Sequence, residues 1–305
     1  MWLLKQHKTF DEIVPGYLAS RKILLKPRSY IGDVGMLKAF SLWLASNNLS
    51  EHPLTKISKL HISNFFASLA NIKNLDKPTC QKYLTVLRFV WQFAQKAGEF
   101  KGDLPFDLVT IPKKRGDFSP ELIPKEVFVP LCEAIKGKDP QLYLAAMMEY
   151  YSFIRPNELR NLKTDDIFLD EGFIKVSDLI AKTKVTRYPT ITKDLKEVFL
   201  WFGIDKAPKG MYIFGKKGYG EVKHIGINTL SHRFRKFRKQ FGLNKRVRLY
   251  SFKHTGITDM LNAGVPLIAV MQQAGHARLS STQHYAKKYS EKVNKDLLNY
   301  SRMAS

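Results

Sequence analysis

"GFIKVSDLIAKTKVTRYPTI" (172–191) is the stretch that decides the fold. Two short runs rich in β-branched and aromatic residues, 172–180 and 184–191, flank "AKTK" (181–184), the pattern of a small antiparallel hairpin. Just upstream, Asp165 and Asp166 precede "IFLDEG" and read as a turn into a strand rather than a metal-binding pair. "MYIFG" (211–215) is one further strand-like run. Both flanks of this region are helical. "EVFVPLCEAI" (126–135) and "DPQLYLAAMMEYYSF" (139–153) lie before it, and helices resume after it. A mainly α domain with a small antiparallel sheet follows.

The first third of the chain carries only helical signals. "DVGMLKAFSLWLAS" (33–46) places Met36, Leu37, Phe40, Trp43 and Leu44 at helical spacing, and "KLHISNFFASLANI" (59–72) does the same with Leu60, Ile62, Phe65, Phe66 and Leu69. In "KPTCQKYLTVLRFVWQFAQKAG" (77–98), Pro78 suits an early helix position, Leu84, Leu87, Trp91 and Ala94 form a stripe, and Gly98 suits the stop. These apolar residues read as core. Residues 101–126 then hold four prolines, two glycines and a basic knot at Lys113, Lys114 and Arg115, which is linker chemistry carrying three cations expected to meet a phosphate backbone. The expected organisation is a helical domain over 1–115 and a second domain over 116–305.

Charge is the strongest compositional signal. Fifty Lys/Arg face 27 Asp/Glu in 305 residues, a formal net charge of +23. Residues 1–115 hold 18 Lys/Arg against 8 Asp/Glu, a net +10, which leaves +13 for the remainder. Such an excess in both halves suits a polyanion that exchanges counterions for Lys and Arg. The sequence has no apolar run long enough to span a membrane and no secretory leader pattern. Two distant cysteines, Cys80 and Cys132, argue against a disulfide framework and for a reducing compartment. The expected partner is therefore a nucleic acid and not a membrane, in a reducing, cytoplasmic setting. The densest basic segment, 209–254, carries 13 Lys/Arg and a single acid, Glu221. Within it, "TLSHRFRKFRKQFG" (229–242) has a thin apolar stripe of Leu230, Phe234, Phe237 and Phe241. Arg233, Arg235, Lys236, Arg238 and Lys239 fill the rest of the turn, a surface suited to a groove or a phosphate backbone. Asn228 or Thr229 suits its start and Gly242 its stop.

No phosphate-binding glycine loop, zinc-binding His-Glu-x-x-His or paired Cys-x-x-Cys is present, so if the chain acts on phosphodiesters the expectation is chemistry without metal or other cofactor. Such chemistry needs a nucleophile, cations to hold the non-bridging oxygens, and an acid for the leaving alkoxide. Arginine suits the clamp through its two-pronged fork, and lysine suits the acid because neighbouring cations lower its pKa.

"YSFIRPNELRNLKTDDI" (151–167), "AKTKVTRYPT" (181–190), "YSFKHTGIT" (250–258) and "AGHARLSSTQHYAKK" (274–288) resemble, in order and interval, the motifs of tyrosine recombinases of the phage-integrase type. The resemblance covers the whole second domain, and the first is similar to that family's helical, SAM-like core-DNA-binding domain. It implies a site-specific recombinase or integrase, of the kind carried by phages and mobile elements, that cleaves and rejoins DNA through a 3′-phosphotyrosyl intermediate. It also implies a homotetramer on two DNA sites, with a monomer compatible without DNA, and exchange of the terminal segment 290–305 between protomers. No arm-binding domain is expected before about residue 20.

By resemblance, Arg155 clamps the scissile phosphate, Lys182 is the acid to the 5′-oxygen with Lys184 as its competitor, His276 hydrogen-bonds the phosphate, and Tyr285 is the nucleophile. Glu158 matches the position that orients the arginines. The middle motif departs from the family's His-x-x-Arg. Tyr250 stands where the histidine is expected and Lys253 where the second arginine is expected, with His254 as support and Ser251 as the cap of its helix. Lysine offers a point charge and no fork. Three explanations stay open: Lys253 serves as a working cation, Arg248 or another arginine of "NKRVRL" (244–249) supplies the fork, or the chain is a DNA-binding protein with weakened or absent cleavage. A type IB topoisomerase-like enzyme uses the same chemistry on one duplex and is a further alternative.

Overall fold

The computed structural model describes residues 8–72, 75, 77–107, 109, 111, 121–216, 218, 220–276 and 278–283. The chain divides into two compact units, 1–117 and 118–305. Tyr285, Lys113, Lys114, Arg115 and the 290–305 segment lie outside the described residues.

The first unit holds α1 (Phe10–Leu24), α2 (Pro27–Ser46), α3 (Lys59–Ile72) and α4 (Lys77–Lys96). Thr9 starts α1 with a reciprocal cap: the Glu12 N–H donates to Thr9 Oγ1, and the Thr9 N–H donates to Glu12 Oε2 at 2.8 Å. The aromatic stripes meet in one core. The Phe40 ring lies 4.8 Å from Phe10 and 4.9 Å from Phe65, edge to face in both pairs, and 6.1 Å from Trp91. Burial of each such side chain contributes about 1.5–3 kcal/mol. Leu60 departs from the sequence pattern: it is 65% exposed in the first turn of α3, on the opposite face from Ile62 and Phe66.

The second unit is built around α6 (Pro140–Tyr151), whose Leu142, Leu144, Ala145, Ala146 and Met148 are buried. Packed on α6 are α5 (Lys125–Lys138), α8 (Lys193–Phe202), α9 (Thr229–Gln240) and α10 (Ser251–Asn262). Between α6 and α8 lie α7 (Pro156–Leu159), β1 (Ile167–Phe168) and β2 (Phe173–Ile174), and α11 (Leu267–Ala274) follows α10. Gly256 sets the approach of α10 to α6, because a Cβ there would sit 2.0 Å from the Tyr150 carbonyl oxygen.

The sheet is smaller than the strand-like runs suggest. β1 and β2 pair antiparallel over two residues each, and the returning run joins only through the bridges Phe173↔Thr190 and Val176↔Arg187. Pro189 sits between those bridges. It accepts from the Ile174 N–H at 2.8 Å but has no N–H to return, so the ladder stays broken. The 211–215 run is likewise held by single bridges, Lys163↔Tyr212, Tyr212↔Glu221 and Gly215↔His224. Asp166 accepts from the Lys163 N–H at 2.8 Å and closes the turn into β1.

Candidate active site

The site begins where α6 stops. Phe153 takes a left-handed backbone conformation (φ 53°), and Arg155 follows in an extended conformation as the N-cap of α7. Pro156 occupies the first helical position, where its missing N–H costs nothing. Three residues on, Glu158 Oε2 accepts from the Arg155 N–H at 3.0 Å, and its Oε1 accepts from Arg155 Nη1 at 3.0 Å. The "RPNE" tetrapeptide thus binds its own arginine.

Two more donors converge on the same carboxylate. Arg187, on the returning hairpin run, donates from Nη2 to Glu158 Oε2 at 2.5 Å, and the Lys182 backbone N–H reaches Oε1 at 3.4 Å. Burial works against the Glu158 charge. The Arg187 guanidinium, the Arg155 backbone N–H and the Arg155 guanidinium outweigh it and hold the carboxyl below its usual range. The Lys182 backbone is therefore anchored at the site while its side chain is exposed; Lys184 is also exposed, in a left-handed turn conformation (φ 57°).

α11 closes the opposite side. The Gln273 side-chain amide donates to the Tyr151 and Thr190 carbonyls at 3.0 and 2.9 Å, and its Oε1 accepts from the Thr190 N–H at 2.8 Å. Arg187 Nη1 donates to the Gln273 carbonyl at 3.1 Å. Gly275 then ends α11 in the left-handed conformation (φ 60°, ψ 45°), as its place before His276 suggests. His276 is half-buried, with Nδ1 2.9 Å from the Oγ1 of the buried Thr282. Burial, then the charges of Lys253, Arg155 and Arg187, pull its pKa down to about 4. The ring is therefore neutral at pH 7. When Thr282 donates to Nδ1, Nε2 carries the remaining ring proton and can donate it.

Lys253 sits in the first turn of α10 and is fully buried. Its Nζ donates to the Phe153 carbonyl at 2.8 Å and faces the Ala274 carbonyl at 3.5 Å. It thereby serves carbonyls at the ends of α6 and α11, where a cation also meets the negative end of each helix dipole. Burial, then the charges of Arg155 and Arg187, hold its pKa well below the usual lysine range. Glu149, one turn back on α6, is also fully buried, and neither carboxyl oxygen has a hydrogen-bond partner among the described residues. Burial pushes its pKa well up, opposed by Lys253.

Tyr250 lies beside this cluster. Burial raises its phenol pKa, the Arg155 charge opposes that rise, and its ring meets the His254 ring edge to face at 4.8 Å. Ser251 is the first residue of α10 rather than its cap, and its Oγ accepts from the exposed Arg248's backbone N–H at 3.0 Å. Arg155, Glu158, Lys253 and His276 come together as the sequence suggests. The residues missed are Arg187, Glu149, Gln273 and Thr282. The arginine of "TRYPT" (186–190) was visible as a cation on a hairpin, but its pairing with Glu158 depends on tertiary approach.

α9 has the expected buried stripe of Leu230, Phe234 and Phe237, with Phe241 partly buried. Arg235, Lys236 and Lys239 are exposed, and Arg238 is partly buried and donates to the Lys245 carbonyl. Arg233 differs from its expected outward role. It donates from Nε to Asp139 Oδ2 at 2.7 Å and from Nη1 to Gln141 Oε1 at 2.6 Å, and Nη2 pairs with Asp139 Oδ1. Its fork ties α9 to the start of α6.

Among the described residues no helix is long and apolar enough to cross a membrane. A tyrosine recombinase of Pseudothermotoga lettingae is 28% identical over 260 residues, covering 84% of this chain and 85% of its own length. Tyrosine recombinase XerC of Oceanobacillus iheyensis is 27% identical over 278 residues, covering 88% and 87%. A Tn1549 transposon integrase, solved in complex with a circular intermediate DNA, superposes with a TM-score of 0.73 at 17% identity, over 94% of this chain and 96% of that one. A lambda integrase tetramer bound to a Holliday junction gives 0.75 at 15% identity, over 95% and 81%. The phage integrase family matches residues 122–292, which span the whole arginine, glutamate and histidine cluster. The chain belongs to the phage integrase family, among the tyrosine recombinases.

Proposed function

We propose that the chain is a site-specific recombinase or integrase that cleaves and rejoins duplex DNA through a 3′-phosphotyrosyl intermediate, with Tyr285 as nucleophile. The single observation that carries this reading is the Arg155–Glu158 pair set against a neutral His276, with the lysine-bearing hairpin anchored to the same carboxylate. Arg155 holds the non-bridging oxygens, His276 donates to one of them, and Lys182 protonates the departing 5′-oxygen. One phosphodiester is exchanged for another, so rejoining needs no ATP. Arg155, Lys182 and His276 take the charge and proton roles, and no metal or cofactor enters this reading. Lys253, whose charge burial opposes, ties the ends of α6 and α11 together beneath the site through the Phe153 and Ala274 carbonyls.

The partner in this reading is double-stranded DNA. Related integrase structures support it, one bound to a circular intermediate DNA and one a tetramer on a Holliday junction. By that likeness the working assembly is a homotetramer on two sites, with the 1–115 domain and the exposed Arg235, Lys236 and Lys239 adding phosphate contacts. The setting is the cytoplasm, on nucleoid DNA. A second reading, a DNA-binding protein with weakened cleavage, draws on the complete burial of Lys253, which shows no fork to solvent.

The test starts from a duplex selected out of a random library by binding to the full chain. A nicked form of that duplex traps a covalent adduct with wild type, and Tyr285→Phe forms none. Binding without an adduct in wild type selects the second reading. An adduct that survives in Tyr285→Phe removes the nucleophile assignment. Synapsis of two duplexes separates recombination from topoisomerase-like action.

A further inference from the structure

The middle motif lacks the arginine that the family places there, and the structure offers a guanidinium from elsewhere. Arg155 and Arg187 each bind one oxygen of Glu158, Nη1 to Oε1 at 3.0 Å and Nη2 to Oε2 at 2.5 Å. Their forks therefore stand side by side at one carboxylate. Two guanidinium charges on one carboxylate leave one positive charge in excess, the complement of a single phosphodiester anion.

Arg187 also retains a donor with no acceptor. Its side chain is 9% exposed, and its Nε has no hydrogen-bond partner among the described residues. A buried N–H of this kind is costly unless an acceptor arrives. The Arg187 stem passes over the turn that presents His276: a Cβ added to Gly275 would meet Arg187 Cδ at 2.5 Å and Nε at 2.9 Å. Glycine at 275 thus serves two ends, the left-handed turn and the passage of the arginine.

Lys253 is in the opposite condition. Its side chain is fully buried and its Nζ is already committed to the Phe153 carbonyl, with the Ala274 carbonyl at 3.5 Å. With no exposed surface, its Nζ meets carbonyls inside the fold and presents no donor at the surface of the site. Arg248 is exposed and is tied to the start of α10 only through its backbone N–H.

We infer that Arg187 is the second phosphate-binding guanidinium of this site, and that the fork absent from position 253 is supplied from the hairpin. Lys253 is then an internal strut, not the clamp. This rests on the recombinase reading above. In it, Arg155 and Arg187 hold the non-bridging oxygens from one side while His276 donates from the adjacent turn, and Glu158 sets the angle between the two forks.

The experiment compares wild type with Arg187→Gln on the selected nicked duplex and on the same duplex carrying a methylphosphonate at the scissile position, mapped from the wild-type adduct. Removing a transition-state contact to a charged oxygen is expected to lower the rate of adduct formation about 100-fold on the phosphodiester, with duplex binding within about 3-fold. On the uncharged methylphosphonate the gap between variant and wild type is expected to shrink to about 5-fold or less, because the oxygen charge that Arg187 answers is gone. An equal loss on both substrates, or wild-type cleavage by Arg187→Gln, overturns the assignment and leaves Arg187 as a latch on Glu158. Should the Gln variant not fold by thermal melting, Arg187→Lys carries the same comparison, with the charge kept and the fork removed and the same two outcomes. If wild type binds the duplex but forms no adduct, the recombinase reading fails and this inference with it. An adduct in wild type with an equal loss on both substrates defeats this inference alone.

Discussion

Glu149 and Glu158 are both fully withdrawn from water, nine residues apart in the chain, yet they meet opposite fates. Glu158 receives two guanidinium groups and two backbone N–H groups and stays ionised. Glu149 has no hydrogen bond among the described residues and is pushed toward the protonated form, with a lysine in its vicinity that is itself pushed toward neutrality. Burial alone does not determine the charge of a carboxyl. The number of donors brought to it does, and only the hydrogen-bonded acid can organise a charged site.

The sharpest way to break this contrast is to neutralise each acid in turn. Glu158→Gln leaves two guanidinium groups facing each other without a counter-charge and is expected to destabilise the fold by about 3 kcal/mol and to abolish adduct formation. Glu149→Leu replaces an unsatisfied polar group with an apolar one of similar size and is expected to stabilise by about 1 kcal/mol. Urea midpoints of the full-length chain check both. A loss for Glu149→Leu comparable to that for Glu158→Gln would show that Glu149 is ionised and paired.

Acidity sharpens the same comparison. Glu158 is depressed, so its contribution is complete above its unfolded pKa and is lost as the pH falls through the folded one. Glu149 is raised, so the native state holds the extra proton, and stability falls as the pH rises from the unfolded carboxyl pKa through the folded value. Glu149→Gln should remove that downward slope. His276, depressed from 6.5 to about 4, gives a rise across that interval, complete above about pH 6.5. Its size is about 1 kcal/mol once solvent screening of a half-buried ring is allowed for. His276→Gln should flatten that part of a stability-versus-pH curve, and an unchanged slope would exclude the depression.

The smallest effects concern α9, where the inward and outward charges differ again. Alanine at Arg235, Lys236 or Lys239 should leave stability within about 0.5 kcal/mol. If these residues meet phosphates, each change should lower the salt-dependence slope of duplex binding by about 1. Arg233→Ala should instead cost stability through Asp139, and an Arg233→Ala variant that alters only DNA binding would reverse that distinction.

The helices were legible because apolar periodicity is local. Phe40, Phe65, Leu87 and Trp91 announce their core face within a few turns. Arg155, Glu158 and the Gly275–His276 turn were legible for the same reason, since each role is written in neighbouring residues. Arg187 was not, because its meaning depends on a hairpin folding back to α7. The inward direction of Lys253 was hidden as well: a lysine in a helix's first turn gives no sign that carbonyls at Phe153 and Ala274 will converge on it. The strands shrank because Pro189 withholds one ladder hydrogen bond, and Arg233 was misplaced because Asp139 approaches from another helix.

Gln273 joins α11 to Tyr151 and Thr190 entirely through main-chain atoms of those residues. Such bonds do not read side-chain identity. Positions 151 and 190 can therefore drift over evolutionary time without loosening the turn that carries His276, while Gln273 itself is constrained: an amide that both donates and accepts has no ready substitute there. Diversification of the hairpin is thereby separated from the upkeep of the histidine.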